Sequence, residues 1–189
     1  MGGDTINSIL IVEDNEKLAL LYERWLSPTY EVTTAFTREE AKTALSPSID
    51  LIFTDRYLVE STGDEFIDDV KESNVDCPII LLTRAKPDIE ILQRGFDLYL
   101  EKPIMESELY NAIKLVERRE ELHPRVQEWI ILKDKEELFR RQLSERRQQS
   151  SSFLEELQSY ADRVEQEITY GPEELTQLRE AYSGVQSSR

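Results

Sequence analysis

Along the chain, short unbroken apolar runs alternate with stretches in which apolar residues recur every three or four positions. The runs at 8–12, 30–35, 50–55, 78–83 and 97–101 have the length of strands. The most continuous, Leu51-Ile-Phe53 among them, have the character of strands covered on both faces of a parallel sheet. After the first run, Asn15 is placed to cap a helix whose Leu18, Leu21, Tyr22, Trp25 and Leu26 form one stripe, and Ser27-Pro28 ends it. Thr37 with Glu40 is a capping box that opens a short helix with Ala41, Ala44 and Leu45 inward. Residues 56–62 read as a loop, and Gly63 precedes a helix carrying Phe66, Ile67 and Val70 on one face. A short helix over about 87–94, closed by Gly95, and a longer one over about 106–121, with Leu109, Ile113 and Val116 inward, complete the series. Five strand–helix units of this kind predict an open, doubly wound parallel α/β sheet with helices on both faces.

Beyond residue 122 the strand signals stop. Pro124 suits the first turn of a helix running to about 147, and the polar stretch 148–152 breaks it. Ser152 with Glu155 is a second capping box. It opens a helix whose Phe153, Leu157, Tyr160, Val164 and Ile168 make the seam of an antiparallel helical pair. Gly171-Pro172 starts a third helix with Leu175, Leu178 and Tyr182 in register, and the chain frays from Ser183. The expected division is therefore 1–122 and 123–189, the second part a small all-α domain. On its first helix Val126, Trp129, Leu132, Phe139 and Leu143 fall on one side, with Ile131 and Leu138 nearly opposite. One partner helix cannot bury both sets, so a second copy of the chain or a regulatory protein is expected on the other face.

Charge narrows the choice of partner. With 23 basic against 39 acidic residues the net charge is −16, which repels nucleic acid and anionic membrane and suits a salt-adapted cytosol. Residues 124–189 carry 10 basic and 13 acidic side chains, a net −3, whereas a DNA reader usually shows the opposite sign. The Arg pairs at 140/141 and 146/147 spread around their helix, so protein contacts are expected first and direct DNA binding second. The single Cys77 excludes an internal disulfide and reads as a packing residue, and the single His123, before Pro124, excludes histidine-based metal or triad chemistry. No segment has the length and apolarity of a membrane span and the amino terminus lacks a signal pattern, so a cytoplasmic setting is expected. Ile6 stands where N-myristoylation after Gly2 would ask for Ser or Thr.

The carboxyl ends of the predicted strands gather chemistry. Glu13 and Asp14 follow the first, Asp55 closes the third, Thr83 the fourth, and Lys102 follows the fifth. In open parallel sheets ligands bind at that end. Three carboxylates in one partly desolvated cleft call for a hard divalent cation, and oxygen-only ligation with room for water suits Mg²⁺. A nucleophilic aspartate, a metal, a hydroxyl and an ammonium together fit phosphoryl transfer to a carboxylate.

These residues resemble the receiver domain of two-component response regulators: Val12-Glu-Asp14, Asp55 with Gly63 eight residues on, Thr83 closing a strand, and Tyr99-Leu-Glu-Lys102-Pro103. The resemblance covers 8 to about 121. It implies a flavodoxin-like five-stranded sheet of order 2-1-3-4-5 and a phosphoryl group accepted on Asp55 from a sensor histidine kinase. It further implies Mg²⁺ held by Glu13, Asp14, Asp55 and the Tyr57 backbone carbonyl, with Thr83 and Lys102 on the phosphoryl oxygens. Tyr99 matches the aromatic that moves with the Thr hydroxyl. Such a protein is a switch and not an enzyme, beyond assisting its own phosphorylation and dephosphorylation. Val59 in place of a common Pro, Arg84 in place of a small residue, bulky Tyr57 and the short helix before Gly95 depart from the family pattern and bear on phosphoryl lifetime and docking. Residues 123–189 resemble HalX, a haloarchaeal-type helical module that follows receivers, in length, helical make-up and position. Two functions are weighed: a phosphorylation-driven switch, and a pseudo-receiver that binds partners unphosphorylated. A haloacid-type phosphatase expects a second Asp where Tyr57 stands, and is set aside.

Overall fold

The computed structural model describes residues 6–58, 61–84, 92, 94–142 and 151–184. The strands are β1 (Ser8–Val12), β2 (Glu31–Ala35), β3 (Leu51–Asp55), the two-residue β4 (Tyr57–Leu58) and β5 (Ser61–Thr62), then β6 (Ile79–Thr83) and β7 (Leu98–Glu101). The helices among the described residues are α1 (Glu16–Leu26), α2 (Arg38–Ala44), α3 (Gly63–Glu72), α4 (Glu106–Glu120), α5 (Pro124–Gln142), α6 (Ser151–Gln166) and α7 (Pro172–Tyr182). The chain forms two compact units. The first carries all the described strands and ends at Val116; the continuous run of the second begins at Glu117.

In the first unit a parallel sheet runs β2-β1-β3-β6-β7, which is the expected 2-1-3-4-5 order once the small β4–β5 pair is counted separately. Every residue of β3 and β6 is buried, as their unbroken apolar runs require of strands covered on both faces. One face packs Ile9, Ile11, Phe53, Ile80, Leu82 and Leu98 against Tyr22 and Leu26 of α1 and Leu109, Ile113 and Val116 of α4. Each such side chain stabilises the fold by about 1.5–3 kcal/mol. Acidic side chains fix where the strands start: Asp50 Oδ2 accepts from Asn7 N and Ser8 N, both at 2.9 Å, and Asp97 Oδ2 accepts from Ile79 N at 2.7 Å.

Local signals act largely as the sequence foretells. Asn15 Oδ1 accepts from the N–H groups of Lys17 and Leu18, and Thr37 accepts from Glu40 N. Glu40 reaches back one residue further than a standard box, to Phe36 N at 2.8 Å. The structure differs at several points. Leu21 is 36% exposed, because at 100° per residue it lies about 130° from the centre of the buried stripe formed by Ala19, Tyr22 and Leu26, beyond Leu18 and Trp25 on its rim. The stretch expected as a loop after Asp55 contains the antiparallel β4–β5 pair, with Tyr57 opposite Thr62. The expected helix over 87–94 and Val59 fall on residues outside the described ones, apart from Leu92 and Arg94.

In the second unit α5 and α6 pair antiparallel. Arg125 meets Glu167, Trp129 Nε1 donates to Glu165 at 2.9 Å, Gln158 donates to Glu136 at 2.9 Å, and Phe139 stacks edge-on against Phe153. Val126, Trp129, Ile130, Leu132, Leu157, Ala161, Val164 and Leu175 form its core. Tyr160, expected on the seam, is 40% exposed: Ala161 takes the buried position, and the tyrosine reaches Glu128 from the rim. Gly171 N donates to Glu174 at 2.9 Å, capping α7 where Pro172 begins it. Ser152 lies inside α6 and not at its cap, and Leu143 and the break at 148–150 are outside the described residues. Ser183 and Gly184 are not frayed. Both donate to the buried Asp134, at 2.6 and 2.7 Å, and Arg119 donates to it as well at 2.6 Å.

Candidate functional site

Parallel pairing puts the carboxyl ends of β1, β3 and β6 side by side, with Asp55 in register with Leu82 and Thr83 with Glu101. The side chains that follow these ends line a cleft of about 410 Å³: Glu13, Asp14, Asn15, Asp55, Tyr57, Arg84 and Lys102. Five of the seven residues singled out from the sequence are therefore together. Thr83 is fully buried at the end of β6, beside this lining and not part of it. Tyr99 is half-buried on β7. It pairs with Leu81, two residues from Thr83 on β6, so period-2 alternation puts Tyr99 and Thr83 on the same face of the sheet.

Lys102 is central to the cleft. Its ammonium bonds both Glu13 Oε2 and Asp55 Oδ2, and its side chain is 3% exposed. Its backbone N–H donates to Thr83 O at 2.8 Å, which ties the residue after β7 to the end of β6. The other Asp55 oxygen, Oδ1, accepts from Tyr57 N at 3.1 Å, so the loop backbone and the lysine hold the carboxylate at both ends. Such a buried cluster is costly unless each charge is met, and breaking one partner leaves the others exposed to that cost.

Electrostatics follow burial. Burial pushes the Glu13 carboxyl above its ordinary value, Lys102 pulls it part of the way back, and the charge of Asp55 adds to the rise. The Tyr22 phenol is pushed up to about 12 by burial, with Glu13 and Asp55 adding to the shift and Arg84 opposing it. Burial likewise pushes the Tyr99 phenol up, with Glu101 adding and Arg56 opposing.

Glu13, Asp14 and Asp55 each offer one carboxylate oxygen, and the three lie within 4.8 Å of one another. Three hard oxygen donors that close, in a cleft open to water, fit a divalent cation of the Mg²⁺ kind. The donor set is thus compatible with the metal that the motifs imply.

Two residues of this region escape sequence reasoning. Arg56 is 4% exposed beside Asp55, with its guanidinium 5.2 Å from the centroid of the Tyr57 ring. A charged residue after a strand end normally reads as solvated loop, and nothing in its spacing marks it otherwise. Tyr22 reads as ordinary helix stripe, and only the fold brings it within electrostatic reach of the cleft.

Comparison with known proteins bears on the same region. The family model of the response regulator receiver domain matches residues 9–114, which is 106 of the 189 residues. A Haloferax volcanii protein named for transcriptional regulation is 33% identical over 129 residues, covering 68% of this chain and 22% of its own. Hybrid signal transduction histidine kinase D of Dictyostelium discoideum is 39% identical over 110 residues, 53% of this chain and 7% of its own. The chain thus spans less than a quarter of either relative's length. Among solved structures, a two-component response regulator from Clostridium difficile superposes with a TM-score of 0.54 at 27% identity, over 60% of this chain and 97% of that one. With the parallel sheet in the order of that fold and the family model matched over more than half its length, the chain belongs to the response regulator receiver domain family.

Proposed function

We propose that the chain is a phosphorylation-driven response regulator, with a receiver over 1–122 that accepts a phosphoryl group on Asp55 and a HalX-type helical output module over 123–189. The observation that carries this reading is the placement of Asp55 in one cleft with two further carboxylates and the Lys102 ammonium. One Asp55 carboxylate oxygen attacks phosphorus. The new O–P bond forms as the P–N bond to the phosphohistidine of a sensor kinase breaks, and the imidazole nitrogen keeps the electron pair and takes a proton. Glu13, Asp14, Asp55 and the Tyr57 carbonyl would hold Mg²⁺, which supplies charge neutralisation on the transferring group when bound. Lys102, already bonded to Asp55, is placed to follow charge onto the phosphoryl oxygens. Thr83 takes another oxygen, and Tyr99 on the same face moves with it as the switch. The protein is a cytoplasmic signalling switch and not an enzyme with a separate substrate.

A histidine kinase as phosphodonor agrees with the Dictyostelium relative, and a transcriptional setting with the Haloferax one. The net −3 of residues 124–189 favours protein contacts, with a second copy or a regulatory partner, over direct binding of DNA. The deciding experiment is intact-mass measurement after incubation with a small acyl phosphate and Mg²⁺. Wild type is expected to gain one phosphoryl group and Asp55→Asn none, because an amide cannot form the mixed anhydride. Labelling that survives the substitution would move the site.

A further inference from the structure

The cleft contains a second cation whose position the lysine does not explain. Arg84 follows Thr83 at the end of β6, is exposed, and lines the same cleft as Glu13, Asp14, Asp55 and Lys102. Its charge acts where theirs does, since Tyr22 feels Glu13 and Asp55 in one direction and Arg84 in the other. Lys102 is engaged by two carboxylates, Glu13 and Asp55. Three lining carboxylates against Lys102 and Arg84 leave one net negative charge, which a divalent cation converts to one net positive charge. Without Arg84 the same metal-loaded cleft would be neutral.

We infer that Arg84 is a binding residue for the incoming phosphoryl dianion, drawing the phosphodonor into the cleft mouth by its guanidinium fork. This rests on the phosphoryl-transfer reading above and deepens it by assigning the donor subsite. Arginine presents paired N–H donors whose geometry matches phosphate oxygens, and its exposure leaves it able to swing onto a ligand. A bulky side chain at a cleft mouth can instead only obstruct, and the two roles have opposite signs on removal.

The test uses the full chain with Mg²⁺ and two readouts. The rate of phosphorylation is followed against acyl phosphate concentration, and binding of inorganic phosphate is measured by titration calorimetry. Arg84→Ala is expected to raise the KM for the donor about fivefold or more with little change in the maximal rate, and to weaken phosphate binding by a similar factor. Arg84→Lys should fall between. A variant that reacts faster, or whose KM and phosphate affinity are unchanged, overturns the inference and leaves the function of Asp55 standing. If wild type takes up no phosphoryl group, the functional reading fails, and phosphate binding alone decides Arg84: dependence on Arg84 upholds the subsite, and binding without it, or no binding, overturns it.

Discussion

At the scale of single residues, the most demanding position outside the cleft is Asp134. Its carboxylate is buried on α5 and receives Arg119 Nη2, the Ser183 hydroxyl and the Gly184 N–H, while Arg119 Nε donates to Tyr182 O at 2.8 Å. Removing one member of such a pair strands the other charge in the interior, whereas replacing both by apolar groups is close to neutral. Asp134→Ala should therefore cost about 3–5 kcal/mol of stability in the second unit, and the double variant Arg119→Met with Asp134→Leu should recover most of it. Denaturant unfolding followed through Trp129 decides this, and equal losses in the single and double variants would contradict it. Neither residue was legible beforehand, because each sits among other charges on a helix and only the fold reveals which charge is buried. Glu13, Asp14, Asp55 and Lys102 were legible for the converse reason. They fall together at or just after the ends of successive predicted strands, and a parallel sheet brings those ends side by side.

At the scale of elements, charge fastens α2 to α3. Arg38 grips Asp69 through Nε at 2.5 Å and Nη2 at 2.9 Å, and also bonds Glu65 at 2.8 Å, while Lys42 meets Asp69 at 3.2 Å. The Arg38 hydrogen bonds hold the Asp69 carboxyl below its ordinary 3.8, against an opposing effect of burial, with Lys42 adding to the depression. A depressed carboxyl contributes stability that is fully present above the unfolded value and is lost as pH falls through the folded one. Asp69→Asn should therefore lower the thermal midpoint at pH 7, by the equivalent of about 1–2 kcal/mol. The gap from wild type should close as pH drops below about 4, and melts across that range read it directly. The five main strands could be read from the sequence because continuous runs and helical periodicity differ in period, whereas their order came from the resemblance to receiver domains. The β4–β5 pair could not, since two residues per strand are too few to show any period. Leu21 and Tyr160 went astray because a stripe read from spacing alone has no sharp edge, and small neighbours such as Ala19 and Ala161 took the buried places.

At the scale of the whole molecule, the net charge of −16 implies that the folded chain repels itself. The screening length shrinks to about 3 Å at 1 M salt, so the thermal midpoint should rise from low to molar KCl. A falling midpoint would mean that pairs such as Arg125 with Glu167 and Lys133 with Asp162 outweigh the overall field. Within that field the acid cluster of the cleft is a special case. Lys102, lodged between Glu13 and Asp55, serves the sheet as a tethered counterion, covalently supplied by the chain at the moment the strands assemble. The carboxylates thus need not wait for a diffusing cation in order to fold together. On the proposed phosphorylation of Asp55, the incoming oxygens would meet a lysine already engaged by Glu13 and Asp55, and the two states would differ by which oxygens that one ammonium group serves.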